Sequence, residues 1–168
     1  MKVLETDRLV LRRFSTDDAA FVLELLNEPA WLRFIGDKGV RTLEDARQYL
    51  LNGPMAMYER SGFGLYRVER KEDGVPMGMC GLLKRDTLKD VDIGFAFLPR
   101  FWGKGYAREA AAAVLALGKA SLGLERIVAI TNPDNDSSIR LLESLGFRFE
   151  EMLRLSSDGA ETKLFAHG

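Results

Sequence analysis

The chain is poor in the residues that build several common kinds of site. Of its 168 residues one is cysteine, one is histidine and five are proline. Cys80 has no partner for a disulfide within the chain, so it says nothing of redox surroundings and reads most simply as a small buried hydrophobe. His167 is the sole imidazole and lies near the end of the sequence, where mobility is expected. Hydrolases built on Ser/His/Asp or Cys/His are therefore set aside, and so is a zinc site of several His and Cys ligands. An excess of one charge is also missing. The 24 basic and 25 acidic residues leave a net charge of -1, which gives no global attraction for nucleic acid or an anionic membrane, although a local basic patch stays possible. The longest apolar run, Ala110 to Leu117, is far below the ~18 residues of a membrane span. The first eight residues carry Lys2, Glu5, Asp7 and Arg8, unlike a secretory leader. A cytoplasmic protein with a small-molecule or protein partner is the expectation.

What is present suits one domain over residues 1–168, since domains run to ~100–200 residues and a chain of this size buries roughly 70% of the surface it exposes unfolded. Arg8 to Phe14 reads as a strand, followed by a helix capped at Ser15 or Thr16 and carrying Phe21, Val22, Leu25 and Leu26. Trp31 to Gly36 reads as an aromatic loop. Thr42 and Asp45 open a second helix with a stripe of Ala46, Tyr49 and Leu50, interrupted at Gly53-Pro54. Leu65 to Arg70 and Met77 to Leu83 form a hairpin over Asp73-Gly74. Val91 to Leu98 is the next strand, then a helix to about Leu122. Glu125 to Thr131 is a strand, Asn135 to Leu145 a helix, and Phe147 to Leu155 with Ala160 to Ala166 a closing hairpin over Ser157-Asp158-Gly159. This order, β-α-α-β-β-β-α-β-α-β-β, predicts a mixed α/β sheet and not a regular βαβ alternation.

Two segments point to chemistry. In the strand Val91 to Leu98 one face carries Val91, Ile93, Phe95 and Phe97, and the other carries Asp92, Gly94, Ala96 and Leu98. A lone carboxylate beside such small residues leaves room for something to lie against the strand. Pro99 ends it, and Arg100-Phe101-Trp102-Gly103-Lys104-Gly105-Tyr106-Ala107 leads into the following helix. A helix start bears unpaired N–H groups and about half a positive charge. Gly103 and Gly105 let backbone approach an anion there, while Arg100 and Lys104 add charge. Taken alone, two such glycines more often form an ordinary tight turn. The P-loop pattern is absent, the Rossmann pattern fails at Arg108, and no G-x-S-x-G elbow occurs. A second strand-to-helix junction carries Asn135-Asp136-Ser137-Ser138, which by itself reads as a helix cap.

Taken together these segments resemble the GCN5-related N-acetyltransferase (GNAT) family, and within it the RimJ/RimL-like ribosomal-protein N-terminal branch, along essentially the whole chain. Glu5 to Arg12 is similar to that branch's opening strand. Arg100-x-x-Gly103-x-Gly105 is similar to the family's acetyl-CoA signature. Asn135-x-x-Ser138 before Leu141 to Phe147 is similar to a later motif, and Asp158-Gly159 with a final strand fits the ending. The resemblance implies a twisted, mostly antiparallel sheet of about seven strands flanked by four helices and splayed between the fourth and fifth strands. It implies acetyl-CoA as co-substrate, with the pyrophosphate on the amides of Gly103 to Ala107, including Lys104 and Tyr106. The pantetheine arm would lie along Phe97 and Leu98, with Asn135 bonded to its amides. No metal is implied.

The implied reaction is direct attack of an amine on the thioester, which suits a chain lacking an activated Cys–His pair. From reference pKa values an α-amine is roughly 14% neutral at pH 7 and a lysine about 0.04%, so a base matters more for lysine. Asp92 is the candidate base, against the ordinary reading of a solvated strand residue, and Glu109 is the alternative. A backbone N–H of Phe97 or Leu98 would meet the oxyanion. Many family members carry tyrosine where this chain has Leu142, so Ser138 is assigned the thiolate. Trp31, Arg33, Phe34 and Tyr66 are candidates for the amine acceptor, a protein N-terminus or a small amine. Aromatic residues there also suit packing. The missing tyrosine motivates a rival, a non-catalytic acyl-CoA sensor or scaffold, and a different nucleotide binder is a third reading. A monomer or homodimer is expected.

Overall fold

The computed structural model describes residues 1–155 and 159–168. Its frame is one eight-stranded sheet in the order β1-β2-β3-β4-β5-β6-β8-β7. The strands are β1 (Lys2–Glu5), β2 (Leu9–Arg13), β3 (Leu65–Arg70), β4 (Pro76–Leu83), β5 (Asp92–Phe97), β6 (Ile127–Thr131), β7 (Arg148–Leu153) and β8 (Thr162–His167). Every neighbouring pair is antiparallel except β5 and β6, which are parallel and registered only at Asp92 and Val128. That is the expected splay. The strand count is eight because β1, only four residues long with charges at both ends, forms an edge that local pattern does not announce. Ser157 and Asp158 of the turn expected at Ser157-Asp158-Gly159 lie outside the described residues.

The helices are α1 (Ala19–Leu26), α2 (Pro29–Phe34), α3 (Leu43–Leu50), α4 (Ala56–Ser61), α5 (Tyr106–Ala120) and α6 (Asp136–Ser144). A 3-10 turn at Thr16–Asp18 precedes α1. Its capping box joins the Ser15 hydroxyl and the Asp18 carboxylate, which accepts from Ser15 N–H at 2.9 Å. Thr42 caps α3 by accepting from Asp45 N–H at 3.0 Å.

Trp31 to Gly36 is not a free loop: Pro29, at the first helical position, presets the backbone and winds residues 29–34 into α2. Gly53-Pro54 interrupts the second helix without ending it. The chain widens into a π turn at Leu51–Met55, which absorbs the missing N–H of Pro54, and continues as α4.

The core lies between the sheet and its helices. Ala110, Ala111 and Val114 of α5 are buried, as are Leu11, Val22, Leu25, Met77, Leu82, Ile127 and Phe165. Gly118 of α5 comes so close to the sheet that an added Cβ would stand 2.7 Å from Ile127. Cys80 is fully buried in β4, where burial pushes its thiol pKa up. His167 is not at a loose end. It pairs with Ile127 in β8 and packs edge-on against Phe147 at 5.3 Å.

Candidate active site

The site starts from an unpaired strand edge. Val128 N–H donates to Val91 C=O at 3.0 Å, and beyond the Asp92–Val128 pair β5 and β6 diverge. On the other side of β5, Leu98 N–H donates to Met77 C=O at 2.9 Å. Backbone groups alternate along an antiparallel pair, so the β4 register turns the amides of Ala96 and Leu98 inward and those of Phe95 and Phe97 toward the gap. One of the outward groups is engaged, since Phe97 C=O accepts the Trp102 indole N–H at 2.8 Å. Phe95 N–H and C=O and Phe97 N–H remain. Of the two candidate oxyanion donors, the fully buried Leu98 has its amide committed to β4, so Phe97 is the one that faces the gap.

Where β5 ends, the chain passes through a 3-10 turn at Pro99–Phe101 to the start of α5. Gly103 and Gly105 have φ of +73° and +82°, a region that side chains with a Cβ rarely adopt. Gly105 is the N-cap and offers no side-chain cap. The first helical bond runs from Glu109 N–H to Gly105 C=O at 3.0 Å, leaving the N–H groups of Tyr106, Ala107 and Arg108 for another acceptor. Arg8 braces this turn: it donates to Lys104 C=O at 3.0 Å and lies over the Tyr106 ring at 4.4 Å.

Edge and helix start face one cleft of about 900 Å³, within the range of small-molecule sites. Phe97, Gly103, Gly105, Tyr106 and Ala107 line it with Asn135 and Ser138 of the β6–α6 junction. Asn135 Oδ1 accepts from Ser138 N–H at 3.2 Å, which caps α6 and leaves its amide nitrogen without a partner among the described residues. The Ser138 hydroxyl makes no hydrogen bond among the described residues. Leu142 lines the wall and is 1% exposed, with no hydroxyl to offer. Arg100 and Lys104 lie off the lining, and Arg100 instead pairs with Glu24 at 3.1 Å.

Asp92 lies in the same cleft, beside Gly94 and Ala96 on the small face of β5. Its residue is 1% exposed, and its carboxylate accepts from Arg85 Nε at 3.1 Å. Burial pushes its pKa up to about 6 against the opposing charge of Arg85. Glu109 is elsewhere. It accepts from Thr6 Oγ1 at 2.5 Å and from Arg8 Nε at 2.7 Å, and although burial raises its pKa, these bonds outweigh that and hold it low. A lowered carboxylate locked in an ion pair is poorly suited to accept a proton.

At the far end of the cleft α2 contributes Trp31, Arg33 and Phe34. Tyr66 does not join them. It is 3% exposed and stacks on Tyr58 at 5.6 Å in the core. Sequence reasoning missed Arg85, Arg108 and Arg140, which also line the cleft. Arg85 sits in a loop without periodicity, whereas Arg108 and Arg140 stand early in the two helices whose starts converge, a signal that helical spacing contains. No group of side chains able to hold a metal ion occurs among the described residues, and no helix there is long and apolar enough to cross a membrane.

A splayed mixed sheet with an open strand edge beside an uncapped helix start is the architecture of the GNAT acetyltransferases. The model of the acetyltransferase (GNAT) domain matches residues 8–148, and the chain belongs to that family of enzymes. It is 31% identical over 154 residues to the uncharacterized N-acetyltransferase YoaA of Bacillus subtilis (strain 168), spanning 90% of this chain and 86% of that protein. An acetyltransferase (GNAT family) from Bacillus anthracis superposes with a TM-score of 0.81 at 27% identity, covering 99% of this chain and 98% of that one. RimL, a ribosomal L7/L12 α-N-protein acetyltransferase solved in complex with coenzyme A, superposes with a TM-score of 0.84 at 18% identity, covering 99% and 97%. The last is a likeness of fold.

Proposed function

We propose that the protein transfers an acetyl group from acetyl-CoA to a primary amine, either a protein N-terminal α-amine or a small molecule, by direct attack without an acyl-enzyme. The observation that carries this reading is the convergence in one cleft of the Phe95–Phe97 edge, the bare amides at the start of α5, Asp92 and Ser138. These groups fit the donor. A strand edge with free N–H and C=O groups can pair with an extended chain of amides, and a helix start with positive-φ glycines receives phosphates. Arg108, which lines the cleft, reinforces that charge. The donor supplies an activated acetyl thioester. The protein's part is then to hold and orient it, to take a proton from the amine, and to meet charge on two atoms.

Asp92, ionised above about pH 6, accepts that proton through water, since the carboxylate is covered and close to the small face of β5. Phe97 N–H is the donor aimed at developing charge on the carbonyl oxygen. Ser138, with its hydroxyl uncommitted, stabilises the departing thiolate where Leu142 cannot. Trp31, Arg33 and Phe34 meet the acceptor. RimL and the named N-acetyltransferases among the relatives support the reaction class. Release of free CoA should be measured with peptides beginning in Ala, Ser or Met, polyamines, aminoglycosides and free amino acids. Acetylation of any of these is expected. Tight acetyl-CoA binding with no release over the whole panel would instead favour a binding module.

A further inference from the structure

We propose that the acceptor carries a carboxylate close to its reactive amine, and that Arg85 is the side chain that receives it. This rests on the acetyl-transfer reading above. Arg85 reaches Asp92 through Nε alone, at 3.1 and 3.3 Å to the two carboxylate oxygens. Among the described residues neither Nη nitrogen has a partner, and the side chain is 38% exposed within the cleft wall. A guanidinium held by Nε presents its outer edge as a rigid fork of N–H donors, a shape that matches a carboxylate in a two-point bond.

Arg33 also lines the cleft and forms no ion pair among the described residues, its guanidinium resting on the Phe34 ring at 4.6 Å. Trp31 Nε1 is buried without a hydrogen-bond partner in the same wall, which leaves one more unsatisfied donor. The carboxylates of the lining are Glu28, Asp92, Asp134 and Asp136, the last two at the β6–α6 junction. Asp92 is already matched by Arg85, and only Glu28 is left unpaired on the α1–α2 side. Beside Asp92 the second cation of a polyamine would meet the Arg85 guanidinium, whereas an amine with its own carboxylate finds complementary partners side by side. The contact between Asp92 and Arg85 sets those partners close together, as the amine and the acid are in such a molecule. Two sources have this chemistry: a free α-amino acid, and a protein whose first residue has an acidic side chain.

The test compares kcat/KM per neutral amine within two matched pairs at saturating acetyl-CoA: alanine against alaninamide, and a peptide starting with Asp against the same peptide starting with Asn. The carboxylate member of one pair is expected to win by about 10- to 100-fold, the range of a charge-assisted hydrogen bond, and the pair that responds names the source. Arg85→Lys keeps the positive charge beside Asp92 but loses the fork. It should bring that ratio close to one, mainly through KM, with the pH profile in place. Arg33→Gln, on an exposed residue, should reduce the ratio by a few-fold and guards against a folding defect in the first variant. Equal rates within both pairs, faster transfer to spermidine, a preference that survives Arg85→Lys, or no transfer to any of these while acetyl-CoA still raises the melting temperature would each overturn the proposal. Failure of acetyl-CoA itself to bind would instead overturn the reading beneath it.

Discussion

Asp92 carries a cost that a purely structural residue would not. Burial holds its pKa at about 6, above the usual 3.8, so between about pH 4 and pH 6 the folded state binds more protons than the unfolded chain and stability falls as pH rises. A shift of about two units corresponds to about 3 kcal/mol given up at neutral pH. Asp92→Asn should therefore unfold at higher urea than the parent at pH 7.5, by up to ~3 kcal/mol, with that advantage gone below pH 4. Its turnover should collapse. A variant that loses both stability and activity would mark Asp92 as an ordinary ion-pair partner. Ser138→Ala should lower kcat by about tenfold, the value of one hydrogen bond to a charged group, with the KM for acetyl-CoA unchanged. Alternation along β5 was enough to single out Asp92 among small neighbours, because period-two patterning is local. Arg85 could not be found that way: it meets Asp92 across a loop, and loop paths follow from packing that sequence does not display.

At the scale of elements, the junction between β5 and α5 is the part that tolerates least. Gly105→Ala puts a Cβ on a residue with φ of +82° and 3.3 Å from an Arg8 nitrogen. The backbone strain should lower stability by roughly 1 kcal/mol and weaken acetyl-CoA binding in calorimetry, since the first amides of α5 would turn away from the phosphates. Unchanged affinity would place the phosphates elsewhere. This junction was legible because glycine spacing, a proline stop and a helix pattern all fall within a few residues. The β3–β4 hairpin was legible for a similar reason. By contrast α2 has six residues and α4 follows a proline, and neither is long enough for periodicity to speak against the turn signals beside it. Tyr66 was misassigned on comparable grounds: an aromatic on a strand near a cleft gives no hint of which face it takes, and here it turns into the Tyr58 stack.

Across the whole molecule, two kinds of interaction hold the sheet in the shape that opens the cleft. Apolar burial unites the helices with β2 to β6. A polar knot then ties the start of α1 to the sheet: Asp18, with its side chain 1% exposed, bonds to Arg12 at 3.1 Å and Arg67 at 2.6 Å. Asp18→Ala removes the buried partner of two arginines that Glu69 still pairs with at 2.8 and 3.4 Å, and should cost about 1–3 kcal/mol in urea unfolding, far from the cleft's chemistry. The splay itself was expected only through family resemblance. A gap between parallel strands depends on where two distant segments part, and composition holds no record of that. In the proposed reaction the donor's extended arm lies in this gap with its diphosphate on the start of α5. Amide hydrogen exchange, residue by residue, with and without saturating acetyl-CoA tests it most directly. Slower exchange should appear at Phe95, Phe97 and Tyr106 to Arg108, while Leu98, already bonded to β4, stays as it was. Exchange unchanged at Phe95, Phe97 and the α5 amides in a chain that demonstrably binds acetyl-CoA would contradict it.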